Sequence, residues 1–381
     1  MRTFASHAPS LSLYANSCKS SEFQPFIRPD EALDVSMQCK PDSINRISCQ
    51  HPQLVKYINE IGGLDLNTIT AQNEIVPEMI PDVLPGINPG FFSVSANQFP
   101  ASMVGISLQD IFAYIPPKRL GIVKVKELRI LQDILKSPLL NGKKVVLLGS
   151  SPDTTIEALW TQWDLIDFIP TLAKMGFHMV TGINYSVFWG ECPVDHAINM
   201  KRSLLTYSQM EQAGITAIPH LYWANEWHLQ RWVEWLNLNR KVKVVNINCQ
   251  MAKKYPDQDF VAYGINYLAQ NTNQPIHFLL EGPRPKILEQ VRGISNRIHI
   301  AAKKPAMNAM MRQKHEIENG KLTRQYSSLP RELLLTWNFD IVEAYYGESF
   351  FLTEIKKLGL SPSNARTRNI LVPKQVSKLK H

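Results

Sequence analysis

Lys144 to Ser151 reads KVVLLGSS, an apolar run that ends on polar residues and is followed by a helix-length stretch, and the same rhythm returns four more times. The returns are FHMVTGINYS (Phe177 to Ser186), ITAIPHLYW (Ile215 to Trp223), VKVVNINCQ (Val242 to Gln250) and IHFLLEG (Ile276 to Gly282), with RIHIAAK (Arg297 to Lys303) as a sixth run. Short buried strands alternating with helix-length segments are the pattern of βαβ units around a parallel sheet. Six such units in order fit a barrel better than a short open sheet. The expected fold is therefore α/β, a TIM-barrel-like core.

The intervening segments carry helix punctuation. SPDTTIEALWTQWDLIDFIPTLAKMG opens on Ser151 or Asp153 and stops at Gly176. DHAINMKRSLLTYSQMEQAG stops at Gly214, and NEWHLQRWVEWLNLNR offers Asn225 as a cap. Outside the core the pattern weakens. Residues 1–50 read as a loosely ordered, irregular extension. Residues 51–120 read as an N-terminal appendage, with a short helix before Gly62–Gly63 and much turn chemistry, including VGISLQDIFAYI as a turn-and-helix unit. The barrel is expected over 121–305, a helical segment over 306–350 (AMNAMMRQKHEIENGKL among it), and a basic tail over 351–381.

A hydrophobic content of 44% with 19% charged residues belongs to a globular chain. The +8 net charge is uneven: Lys303 to His381 holds fourteen Lys and Arg against seven Asp and Glu, a surplus of seven. The basic C-terminal segment is thus a candidate nucleic-acid contact through phosphates, or simply a solvated terminus. Five cysteines make no CxxC pair and no zinc spacing, so no metal site is expected, and reduced thiols point to the cytoplasm. No apolar run approaches the ~20 residues of a membrane span. There is no GxGxxG after a strand and no P-loop lysine, which leaves the cofactor unknown.

Function is expected at the polar ends of the strands, where barrels place their chemistry. Those ends hold Ser150, Ser151 and Asp153; Asn184, Tyr185 and Ser186; His220, Tyr222 and Trp223; Asn246 and Asn248; and Glu281. Glu281 closes an apolar strand, where an unpartnered carboxylate is expensive to bury, and His220 titrates near neutrality, so these two and Asp153 are the acid/base candidates. Glu281 with Asp153 would make a two-carboxylate site if their separation allowed it. Ser151, Asn184, Tyr185, Arg202, Tyr222, Trp223 and Asn248 are the candidate ligand contacts. Each has a plainer reading: Ser151 and Asp153 as caps, Asp195 with Arg202 as a structural ion pair, Trp227, Trp232 and Trp235 as packing, Cys249 as a buried inert thiol. A small polar ligand is the leading partner, and nucleic acid the rival.

Ile183 to Trp223 also carries N-[YF]-S-[VL]-[FY] at Asn184, Pro193, the N-x-x-R of Asn199 and Arg202, and G-[IV]-x-x-IP-x-x-x-W ending at Trp223. In these residues the chain resembles a domain of unknown function found in bacteria, phages and mobile elements. The resemblance spans about residues 120 to 305 and implies no activity that can be carried over.

Overall fold

The computed structural model describes residues 57–88, 91–111, 136–161, 167–187 and 193–347, together with Phe350. Eight parallel strands form the core: β1 (Val83–Pro85), β2 (Met103–Ser107), β3 (Lys144–Leu148), β4 (Met179–Thr181), β5 (Ala217–Ile218), β6 (Val244–Asn248), β7 (His277–Glu281) and β8 (Ile298–Ala302). They pair in the orders β1-β8-β7-β6 and β2-β3-β4-β5. Parallel bridges Gly86–Gly105 and His220–Asn246 join the two halves, so the sheet closes on itself into a (β/α)8-type barrel.

The period of two along each strand separates two apolar layers. Leu84, Met103, Val146, Leu148, Met179, Ile218, Val244, Leu279 and Ala301 form one buried cluster, to which every strand contributes. This is the barrel interior, and Ile75 and Ile80 join it. The alternate residues, among them Val145, Leu147, Val245, Phe278, Leu280 and Ile300, belong to the larger cluster under the helices.

The helices follow in order: α1 (Leu108–Ile111), α2 (Asp153–Thr161), α3 (Phe168–Lys174), α4 (Pro193–Gln212), α5 (Glu226–Leu238), α6 (Tyr255–Asn271), α7 (Pro285–Gln290), α8 (Lys304–Met310) and α9 (Arg331–Tyr346). In α5 the apolar stripe shows why it forms. Leu229, Trp232, Trp235 and Leu236 are buried at helical spacing, and the Asn225 side chain caps the helix by accepting from the His228 N–H at 3.0 Å. The Trp232 and Trp235 indoles donate to the Tyr222 and Ile69 carbonyls, both at 2.8 Å, so these rings are packing elements.

Three parts of the architecture differ from the sequence reading. The barrel begins at Val83, not near residue 121, because β1 and β2 lie inside the stretch read as an appendage. β1 has only three residues and ends on Pro85, and the segment read as a turn-and-helix unit is β2 followed by the short α1. β1 is too short to display a period, and β2, though as long as β3, runs straight into α1 and reads with it as one unit. The third difference lies in 306–350, where α8 is followed by a hairpin, β9 (Gln313–Glu318) and β10 (Lys321–Tyr326), before α9. Its two-residue turn is Asn319–Gly320, with φ of 51° and 70°, which is the Asn-Gly chemistry of a tight hairpin. Asn338 of α9 ties the unit together, donating to the Pro305 and Gln313 carbonyls and accepting from the His315 N–H.

The 1–50 extension, the opening of the expected barrel at 121–135 and the basic tail 351–381 with its nucleic-acid reading lie outside the described residues. Among the described residues no helix is long and apolar enough to cross a membrane.

Candidate functional site

One register step above the apolar interior, the inward positions turn polar. Leu148 leads to Ser150, Ile218 to His220, Val244 to Asn246, Leu279 to Glu281, and Ala301 to Lys303, each two residues further along its chain. The pleat therefore stacks a polar layer on a hydrophobic plug at the C-terminal mouth.

Glu281 is the hub of that layer, with no exposed surface. Its Oε1 accepts from Ser150 Oγ at 2.7 Å and Asn246 Nδ2 at 2.9 Å, and its Oε2 from Lys303 Nζ at 3.1 Å and Gln250 Nε2 at 3.4 Å. Burial pushes the carboxyl up, but the Lys303 ammonium and the Ser150 and Asn246 hydrogen bonds outweigh it and hold Glu281 below its ordinary range. Glu281 is thus a saturated, ionised carboxylate. A role as a proton-donating acid does not fit those surroundings.

Asn246 Nδ2 also lies 2.8 Å from Nδ1 of His220. Since the same nitrogen donates to Glu281, it is the amide NH2, and His220 Nδ1 must accept. The neutral ring then carries its proton on Nε2, which has no hydrogen-bond partner among the described residues. Burial, partly offset by the Glu281 charge, pushes His220 down to about 4, so the ring is uncharged at neutral pH.

Lys303 arches over β1. A Cβ at Gly86 would stand 2.6 Å from Lys303 Cγ, so glycine is required there for the side chain to reach the axis. Asp110 of α1 accepts from Asn88 Nδ2 at 3.1 Å and from the Ser107 N–H at 3.2 Å. Burial raises its pKa, and the Lys303 charge acts against that.

Two residues beyond His220 and Asn246, Tyr222 and Asn248 line a cleft of about 200 Å³ shared with Trp223, Met251, Asp257 and Phe260. Burial, with Asp153 adding to it, pushes the Tyr222 phenol up to about 12. Trp223 is 6% exposed and lays its indole on Gly264 of α6. Asn248 Oδ1 accepts from the Gln250 N–H at 3.0 Å, which fixes the loop that delivers Gln250.

The other candidates form two separate groups. Asp153 accepts from Ser186 Oγ at 2.6 Å, and Asn184 Oδ1 accepts from the Ser151 N–H at 2.9 Å, stitching together the loops after β3 and β4. Asp153 makes no hydrogen bond to Glu281. Arg202 is fully buried and forks onto Glu157 at 3.0 and 2.9 Å, donates to Asn199 Oδ1 at 2.9 Å, and packs on the Trp160 and Tyr185 rings. Its carboxylate partner is Glu157 of α2, where the sequence reading paired it with Asp195 on its own helix, and with its cation so enclosed this group joins α2 to α4. Burial raises the Cys249 thiol far above its ordinary pKa, with the Glu281 charge adding to it, so it is inert. No cluster of three His, Cys, Asp or Glu suited to a metal ion occurs among the described residues.

No family model and no curated protein matches this chain. Among solved structures it is similar to a trimodular GH5_4 subfamily endoglucanase at 12% identity and a TM-score of 0.40, over 60% of this chain and 57% of the other. The chain thus spans little more than half of that protein's length. It is also similar to a phospho-2-dehydro-3-deoxyheptonate aldolase from Thermotoga maritima at 12% identity and a TM-score of 0.36, over 73% of this chain and 70% of the other. The barrel itself rests on the strand order and register described above.

Lys303 and Gln250 were not among the residues singled out from sequence. Lys303 had a signal, being the next inward position after Ala301 on an apolar strand; Gln250 had none, since a loop conformation brings it to Glu281.

Proposed function

We propose that the C-terminal mouth of the barrel binds a small polar molecule and acts on it by acid–base chemistry, with Lys303 as the group that meets it. The observation that carries this reading is the fully buried carboxylate at the mouth, Glu281, satisfied by four donors from three segments: Ser150 after β3, Asn246 and Gln250 on β6 and its loop, and Lys303 after β8. A buried ion pair contributes little net stability compared with apolar packing of the same volume, so a structural role alone gives such a layer little justification. Lys303 spends one N–H on Glu281 and keeps two donors toward the mouth, enough to hold a carbonyl, hydroxyl or carboxylate oxygen. Glu281 holds the amine in place through the 3.1 Å contact, which makes it a positioning residue. Neutral His220 carries an uncharged Nε2–H donor in the same polar layer, without a hydrogen-bond partner among the described residues.

The test is thermal unfolding of wild type and Lys303→Met against neutral sugars, hydroxy acids and polyols. A compound that raises the wild-type midpoint should bind Lys303→Met at least tenfold more weakly. Equal stabilisation of both proteins would sink the proposal.

A further inference from the structure

Beside the mouth, three neighbouring elements each carry a cation that has no anion partner among the described residues. Arg284 precedes the first turn of α7, after β7; Lys304 opens α8, after β8; and β7 and β8 are hydrogen-bonded neighbours. Arg324 arrives from the hairpin. Its cross-strand partner is His315, whose Nε2 meets Asn308 Nδ2 of α8 at 2.8 Å, one helical turn beyond Lys304. Arg324 therefore shares the hairpin face that turns toward α8. Lys304 stands exposed on the rim, and its pKa is lowered by partial desolvation and by the charges of Arg284 and Arg324, as expected of cations within each other's field.

Neighbouring cations in the same region are matched: Lys286 with Asp259 at 2.7 Å, Lys314 with Glu316 at 2.9 Å and Lys303 with Glu281 at 3.1 Å. Among the described residues Arg284, Lys304 and Arg324 have no such partner. Glu316, the acid nearest in sequence to Arg324's partner, points to the opposite hairpin face and holds Lys314. Three like charges held together without compensation repel one another, and they fit a ligand that brings two negative charges.

We infer that Arg284, Lys304 and Arg324 form a phosphate-binding site on the β7–β8 rim, seating the phosphate of a small phosphorylated ligand whose other end enters the mouth at Lys303. The second half of this statement rests on the reading of the mouth given above; the phosphate site does not. Two guanidinium forks can each take two phosphate oxygens, and the lysine adds a point charge. The hairpin supplies Arg324, so its placement over α8 has a functional consequence.

The experiment is calorimetric titration of the full chain with inorganic phosphate, and with glycerol 3-phosphate against glycerol, in wild type, Arg284→Ala/Arg324→Ala and Lys303→Met. Inorganic phosphate should bind at least tenfold more weakly in the double variant than in wild type, and Lys303→Met should weaken glycerol 3-phosphate, whose glycerol end meets Lys303, more than it weakens inorganic phosphate. The folded midpoint of that variant should be unchanged or higher, since it loses only repulsion. Phosphate binding that is absent from wild type, or undiminished in the double variant, overturns the site while leaving the mouth reading to its own test with neutral compounds. A short single-stranded RNA that binds through the same arginines with a log–log salt slope steeper than about −3 would replace a small ligand by a polyanion and equally overturn the inference.

Discussion

Asn246 uses one amide nitrogen for two partners, Glu281 Oε1 at 2.9 Å and His220 Nδ1 at 2.8 Å. That relationship acts on both neighbours: it helps hold the carboxylate ionised, and it confines the proton of the neutral imidazole to Nε2. Asn246→Asp removes the shared donor and puts a second carboxylate against Glu281 in a site without solvent. The variant should lose about 3 to 5 kcal/mol at pH 7. The new acid would have a raised folded pKa, so the deficit relative to wild type should shrink as pH falls through that pKa toward the ordinary carboxylate range. Urea midpoints at pH 7 and pH 4.5 check this, and an unchanged deficit would contradict it.

His220 gives a separate pH signature. Its folded pKa of about 4 lies below the ordinary 6.5, so the unfolded chain binds the proton more readily. Its contribution is fully present above about pH 6.5 and is lost as pH falls toward 4, a span worth about 3 kcal/mol. Other buried histidines with lowered pKa, among them His228 and His299, add to the same slope. The diagnostic quantity is therefore the difference between wild type and His220→Gln. The variant's stability should fall less steeply between pH 6.5 and 4, as measured by urea denaturation; parallel curves would contradict the assigned tautomer and burial.

Gly86→Ala tests the placement of Lys303. The added methyl would stand 2.6 Å from Lys303 Cγ and 3.2 Å from its Cα, so the lysine must move away from Glu281. A stability loss of about 1 to 3 kcal/mol is expected from the overpacking and the loosened ion pair. Ligand binding at the mouth should fall with it. Retention of full binding by a folded Gly86→Ala protein would show that Lys303 does not need this path.

Arg202 tests the opposite case, a cation that belongs to the framework. Glu157→Gln leaves the guanidinium buried with a neutral partner and should destabilise by about 2 to 3 kcal/mol, discounted because the Glu157 side chain is 46% exposed. Arg202→Ala should cost more, since it also strips the packing on Trp160 and Tyr185. Neither substitution should change affinity at the mouth in protein that remains folded. A selective loss of binding would make Arg202 a ligand contact after all.

The strands from Lys144 onward are legible in the sequence because each is an apolar run long enough to stand out and is bounded by turn residues. Their polar ends are legible for the same reason: Ser150, His220, Asn246 and Glu281 break hydrophobic runs at points where a barrel opens. Asn225 as a cap and the packing tryptophans follow from local chemistry that needs no distant partner.

What the chain order could not disclose depends on register and closure. β1 is too short to show a period and β2 runs directly into α1, and both become strands because β8 and β3 offer them parallel hydrogen-bonding edges. The pairing of Glu281 with Ala301 places Lys303 one step beyond its neighbour and so beside the carboxylate, a meeting across twenty-two residues that no spacing rule encodes. The sequence alone determined an α/β chain with chemistry at its strand ends, because hydrophobic periodicity is a local property. Only the tertiary structure decided which of those ends share one proton-tight layer, because side chains meet there through strand register, and register is set by the whole closed sheet.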